Sequence, residues 1–106
     1  MAQSFLGEFE ELVLLSVLKL GEKQAYGVPI AEAIEGATGK RVSTGALYTT
    51  LGRLEEKGLI SSQLGEASAL RGGRAKKNFS IEIAGKQVLR DSQGIRNGFM
   101  KGLSFA

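Results

Sequence analysis

The sequence predicts a mostly α fold with a small β-hairpin wing, an α+β winged helix-turn-helix followed by a C-terminal dimerisation helix. Three observations lead there. Residues 44–57 form an amphipathic helical stretch, with Leu47, Leu51 and Leu54 on one face and small or hydroxyl residues on the other. Gly58 stops it, and Leu59, Ile60 and Leu64 mark a strand. A glycine-broken loop carrying Arg71, Arg74, Lys76 and Lys77 then leads into a second alternating run, Phe79, Ile81 and Ile83. Helix, strand, basic loop, strand is the order of a winged helix that grips DNA.

The elements before this stretch fit the same plan. Glu8 to Leu20 places Phe9, Leu12, Val13, Ser16, Val17 and Leu20 at helical spacing, and Leu14, Leu15 and Leu18 widen the apolar arc. Glu8, Glu10 and Glu11 lie in its first turn, where carboxylates favour the positive end of the helix dipole. Gly21 is expected to end it as a left-handed cap. The segment AYGVPIAEAIEGATG predicts a second helix with Pro29 in its first turn, where a missing N–H costs nothing. Val28, Ala31, Ile34 and Ala37 are its expected inward face, Gly36 weakens it and Gly39 stops it. Lys40 to Val42 is a short extended link, and Ser43 or Thr44 caps the third helix. From Ala84 a last helix brings Val88, Leu89, Ser92, Ile95, Phe99 and Leu103 near one side.

At 106 residues the chain makes one compact domain. Residues 1–83 form the helix-turn-helix part and 84–106 the last helix. Cysteine and histidine are both absent, which removes thiol chemistry, the commonest general base and the usual metal ligand. Glu10–Glu11 and Glu55–Glu56 are adjacent pairs whose members diverge on a helix. No enzyme, metal site or cofactor is expected. The longest apolar run, Leu12 to Leu18, is interrupted by Ser16 and far short of the ~20 residues of a membrane span. The acidic start, MAQSFLGEFEE, does not read as a signal peptide, so a cytoplasmic protein is expected.

Charge is unevenly placed. The first 36 residues hold six acids and two bases, net −4; the remaining 70 hold five acids and twelve bases, net +7. A polyanion-facing half and an acidic half turned away from it follow, the alternative being a solvated surface of mixed sign.

The candidate DNA-binding residues lie in that basic portion. Gly45, Thr49 and Gly52 leave room for close approach to base edges, and Arg53 adds a charge. Hydroxyls of Ser43, Thr44, Tyr48 and Thr49 can bond phosphates, as can free N–H groups at the helix start. An ordinary solvated helix face is the alternative, but Thr and Gly are poor helix formers and their density asks for a reason. In the wing, residues 65–78, Arg71, Arg74, Lys76 and Lys77 offer salt-sensitive phosphate contacts, and Gly72 and Gly73 free the backbone at the tip. Here the alternative is a solvated hairpin.

The dimer-interface candidates are Phe5, Phe9, Val88, Leu89, Ser92, Ile95, Phe99 and Leu103. Gly94, Gly98 and Gly102 recur every four residues, which suits either close helix approach or a frayed tail, since three glycines cost about 3 kcal/mol of helix propensity. Phe5, Phe9, Phe99 and Met100 are also candidates for a small-molecule effector pocket where the first and last helices meet, with plain core as the alternative.

The stretches LGEFEELVLLSVLKLG, YGVPI, STGALYTTLGRLEEKGLI and RGGRAKKNFSIEIAG, in that order, resemble the PadR family of bacterial transcriptional regulators. The resemblance implies a winged helix, a homodimer formed through the first and last helices, and repression by operator binding. It makes Thr44 to Lys57 the recognition helix, with Tyr48 as its characteristic tyrosine, and Arg71, Gly72, Gly73 and Arg74 the wing. Ala75 stands where the family often has proline, Phe79 replaces a common tyrosine, and Glu82-Ile83 replaces a frequent Thr-Pro. These departures imply a looser wing and a shifted start to the last helix. The expected function is a homodimeric regulator on a pseudo-palindromic DNA operator, with an effector of unknown identity. The competing reading is a winged-helix interaction module whose basic wing binds an acidic protein partner.

Overall fold

The structure, a computed structural model, describes residues 6–65 and 76–104. Three helices come first: α1 (Glu8–Leu20), α2 (Gly27–Thr38) and α3 (Thr44–Glu56). A two-stranded antiparallel sheet follows, β1 (Ile60–Leu64) and β2 (Lys77–Ile81), and then α4 (Ile83–Met100). The register pairs Ile60 with Ile81 and Leu64 with Lys77.

Each helix boundary has a local cause. Gly7 N–H donates to Glu10 Oε1 at 2.9 Å, so the first-turn acid of α1 closes back on the residue before it. Gly39 ends α2 in the left-handed conformation (φ 72°, ψ 8°), donating its N–H to Glu35 O. At the end of α3, Gly58 takes φ 76°, and the N–H of Leu59 reaches back to Leu54 O at 3.0 Å. Glu35 Oε2 accepts the Val42 N–H at 2.7 Å, which fixes the extended link between α2 and α3.

The core gathers Val13, Leu14 and Val17 of α1, Ile30 and Ile34 of α2, Leu47, Leu51 and Leu54 of α3, with Ala25, Leu59, Ile60 and Phe79. Ser16 is buried among them, its hydroxyl donating to Leu12 O at 2.8 Å. Phe79 is 2% exposed and its N–H donates to Ala25 O at 2.7 Å, so β2 docks on the α1–α2 connection through both ring and backbone. Asn78 Nδ2 reinforces this by donating to Glu22 O at 2.9 Å.

Three local expectations need correction, and one open alternative is decided. The inward face of α2 is Gly27, Ile30 and Ile34; Val28 is 62% exposed and Ala37 is also on the surface. Gly21 does have a positive φ of 80°, but its ψ of 163° is extended rather than left-handed helical. The second strand stops at Ile81, and Ile83 instead opens α4, one residue before the predicted start and 88% exposed. Glu82 is the residue before that helix and makes no side-chain cap, so the start is set by its N–H donating to Leu59 O at 2.9 Å. The C-terminal stretch is not a frayed tail over the described residues: α4 runs through Gly94 and Gly98, and Gly102 lies just past its end at φ 83°.

Gly85 is the buried residue of α4. A Cβ there would overlap the Leu59 carbonyl and come within 2.9 Å of Ile81 Cγ1, so the helix seats on the sheet only because this position lacks a side chain. Gly85→Ala is expected to destabilise the fold by about 1–3 kcal/mol through overpacking. Gly36→Ala in α2, where a Cβ meets nothing within 4 Å, should instead stabilise by up to about 1 kcal/mol. Urea unfolding of both variants checks the contrast.

Candidate nucleic-acid interface

α3 divides its residues as its helical projection predicts. Leu47, Leu51 and Leu54 are buried, with Thr50 beside them, while Thr44, Gly45, Thr49, Gly52 and Arg53 are exposed on the other side. A Cβ built at Gly45 or Gly52 meets nothing within 4 Å, so the backbone at both is open to an approaching surface. Ser43 is the N-cap, its Oγ accepting the Ala46 N–H at 3.1 Å. The helix therefore starts at Thr44 with one first-turn donor satisfied, and Ser43 has a local duty besides any contact to a ligand.

Tyr48 stands at the flank of that face, 46% exposed. Its hydroxyl lies against Gly27, where an added Cβ would overlap it. Gly27 is thus the residue that lets α2 approach the third helix so closely, and a pattern based on hydrophobicity could not single it out.

The hairpin brings its base against Tyr26, at the start of α2, and Glu55, in the last turn of α3. Lys76 Nζ sits 4.2 Å above the centre of the Tyr26 ring, a geometry that holds the ammonium without cancelling its charge. Lys77 Nζ is 3.8 Å from Glu55 Oε1, and Ser62 Oγ donates to Glu55 Oε2 at 2.6 Å. Tyr26, Glu55 and Ser62 escaped sequence reasoning because their partners are set by how the hairpin folds back, not by spacing along the chain. The expected wing residues Arg71, Gly72, Gly73 and Arg74 lie outside the described residues, as does Phe5.

The remaining interface candidates separate into two groups. Phe9, Val88 and Leu89 pack against the chain's own core, and Ser92 Oγ donates to Glu11 Oε2 at 2.8 Å. Ile95, Phe99 and Leu103 are exposed, with Leu103 beyond the end of α4. Phe9 lines a groove of about 190 Å³ with Leu12, Ile34, Thr38, Arg41 and Val42. Phe99 shares a different hollow with Gly94, Ile95 and Gly98. The described residues of the expected effector pocket therefore do not converge on one cavity within a single chain.

The model of the PadR-like family of transcriptional regulators matches residues 14–91, from the middle of α1 into α4. The chain belongs to that family. It is accordingly a winged-helix transcriptional regulator of the DNA-binding kind and not an enzyme. Solved structures agree on the fold. A transcriptional regulator from Thermoplasma acidophilum is 25% identical with a TM-score of 0.66, covering 85% of each chain. A PadR family regulator from Clostridium difficile is 24% identical at a TM-score of 0.71, over 90% of this chain and 93% of that one. A PadR-like transcription factor from Bacteroides fragilis is 23% identical at 0.72, over 86% and 82%. No functionally curated protein matches the chain. Among the described residues, no helix is long and apolar enough to cross a membrane.

In this PadR-like regulator the acidic α1 also braces the end of α3 and the C-terminal half of α4. Glu10 Oε2 meets Lys57 Nζ, just past the C-terminus of α3, at 3.3 Å, and Glu11 Oε1 meets Arg96 of α4 at 3.2 Å. The Glu10 carboxyl is held below its ordinary value of 4.5, chiefly by the Gly7 N–H and further by Lys57 and Arg53, against an opposing effect of burial. A depressed folded pKa makes the stabilisation full above the unfolded value and lost as pH falls through the folded one. Glu10→Gln is therefore expected to be less stable than the unmodified protein at neutral pH. That difference should shrink on acidification below about 4.5, as followed by thermal unfolding across pH. A difference that stays constant down to strongly acidic pH would contradict this role.

Proposed function

We propose that the chain is a repressor that binds a pseudo-palindromic operator as a homodimer, each subunit setting α3 in the major groove while its wing holds the backbone. The observation that carries this reading is the open face of α3. Thr44, Gly45, Thr49, Gly52 and Arg53 lie together on the surface with no bulky apolar group among them. A major groove admits a helix whose outer side chains are short enough for base edges to be reached. Free N–H groups of the first turn and the hydroxyls of Thr44 and Thr49 suit phosphates. Lys76 and Lys77 at the hairpin base, with Arg71 and Arg74 in the sequence between the strands, make the wing basic and suit it to a phosphate backbone. Repression is carried by family resemblance alone.

A second copy is supported by the surface that one copy leaves uncovered. Leu15 and Leu18 of α1 and Ile95, Phe99 and Met100 of α4 are large apolar residues exposed by 43% or more. With Gly94 and Gly98 open to close approach on α4, this surface suits a two-fold helix–helix contact. The two-fold axis then sets the half-site spacing. An effector bound between two copies would draw on the same residues.

The combined change of Arg71, Arg74, Lys76 and Lys77 to Ala should weaken binding to operator and random duplex alike and flatten the slope of log affinity against log salt. Thr49→Ala should weaken operator binding with little effect on random duplex. Fluorescence anisotropy over a salt series reads both, and an unchanged slope in the first variant would remove the wing from the interface. Light scattering should give a dimer mass for the protein and a monomer mass for Ile95→Glu with Phe99→Glu; a monomeric unmodified protein at micromolar concentration would break the two-fold argument.

A further inference from the structure

We propose that Glu55 is a specificity-determining residue: its carboxylate binds both strands of the hairpin to the end of α3 and withholds Lys77 from the DNA backbone. This rests on the operator-binding reading and deepens it, because it assigns unequal tasks to the wing's cations.

Glu55 lies in the last turn of α3 and uses each oxygen on a different strand. Oε2 accepts the Ser62 hydroxyl of β1 at 2.6 Å, and Oε1 lies 3.8 Å from Lys77 Nζ of β2. The strands are hydrogen-bonded neighbours, with Ser62 opposite Phe79 and Lys77 opposite Leu64. One side chain of the recognition helix therefore ties both strands at the wing base to that helix.

The same contact changes the electrostatics. A cation contributes to non-specific affinity by displacing counterions from phosphates, one increment per phosphate neutralised. Lys76 is held by a ring, which leaves its full charge available. Lys77 has a carboxylate 3.8 Å away as well as the Phe79 ring at 5.8 Å, so the Lys77–Glu55 pair is close to neutral. If a phosphate draws Lys77 away, Glu55 is left as an unpaired anion beside the backbone, and the gain is offset either way. An exposed ion pair needs little intrinsic strength to act in this manner.

Suppressing one wing cation lowers attraction to every duplex by the same factor and leaves their ratio as it was. What favours an operator is the placement of the wing base that the Ser62 and Lys77 contacts preserve, since random duplex does not depend on it. The predicted consequence is a larger ratio of operator to random affinity. Glu56, the next residue, is exposed and appears in neither contact, which is why position matters more here than acidity.

The test is fluorescence anisotropy of the full chain on operator and random duplex over a salt series, for the unmodified protein, Glu55→Gln, Lys77→Gln, and the two changes together. Gln keeps an acceptor for Ser62 and removes the charge. Glu55→Gln should steepen the log–log salt slope by about 0.9, so that the ratio of random-duplex affinities at about 50 and 200 mM salt rises roughly threefold. The operator-to-random ratio should fall with it. Lys77→Gln alone should leave the slope nearly unchanged, and in its background Glu55→Gln should no longer steepen it. Steepening that persists without Lys77 would show a general effect of removing an acid and overturn the assignment. An unchanged slope in Glu55→Gln would do the same while leaving operator binding intact. Salt-independent or absent binding by the unmodified protein would overturn both readings together.

Discussion

Phe79 joins the hairpin to the helices, and the geometry of the interface depends on that junction. Its ring fills the core contributed by the three N-terminal helices, and its N–H takes the Ala25 carbonyl at 2.7 Å. Burying such a ring is worth roughly 1.5–3 kcal/mol, more than any exposed ion pair nearby. A two-stranded sheet is marginal on its own in water. It is stable here because its inner face completes a helical core, and the base of the wing is thereby held beside α3. Gly85 then closes the arrangement from the other side, letting α4 start directly on the Leu59 carbonyl.

The carboxylates explain how a small protein with a modest core keeps its elements in register. Glu10 reaches Lys57, Glu11 reaches Ser92 and Arg96, Glu35 holds the Val42 N–H, and Glu55 spans both strands. The acidic first third of the chain is thus not merely a face turned away from a polyanion. Four of its acids reach other parts of the fold: Glu10 the end of α3, Glu11 α4, Glu22 the Ser80 hydroxyl of β2 and Glu35 the link before α3. Each contact is weak at an exposed site, but each restrains one boundary that apolar packing leaves free to slide. Charge asymmetry and mechanical bracing are two consequences of the same residues.

Much of the candidate site could be read along the chain. The leucines at positions 47, 51 and 54 specify which side of α3 is buried, and Gly45, Thr49, Gly52 and Arg53 then have to face outward. Ser43 is a cap because its hydroxyl is three residues from the Ala46 N–H, a local relation. α2 was harder, since it carries apolar residues around much of its circumference and Ile34 belongs to either possible stripe. Gly27 decided between them: its lack of a side chain admits the Tyr48 hydroxyl, rotating Ile30 inward and Val28 out. Such a close approach leaves no hydrophobic signal.

What the sequence determined by itself was the order of elements, their main boundaries, the buried face of α3 and the concentration of positive charge after residue 36. These follow from periodicity, caps and composition, which act over a few residues. Tertiary structure alone decided which partner each charged group met. Lys76 came to a tyrosine of the α1–α2 connection and Lys77 to a glutamate of α3, although the two lysines are adjacent. Lys76 lies just before β2 and Lys77 opens it, and what each of them meets depends on how the sheet docks. The basic run was legible as charge; its division into a cation left available and a cation held back required the fold.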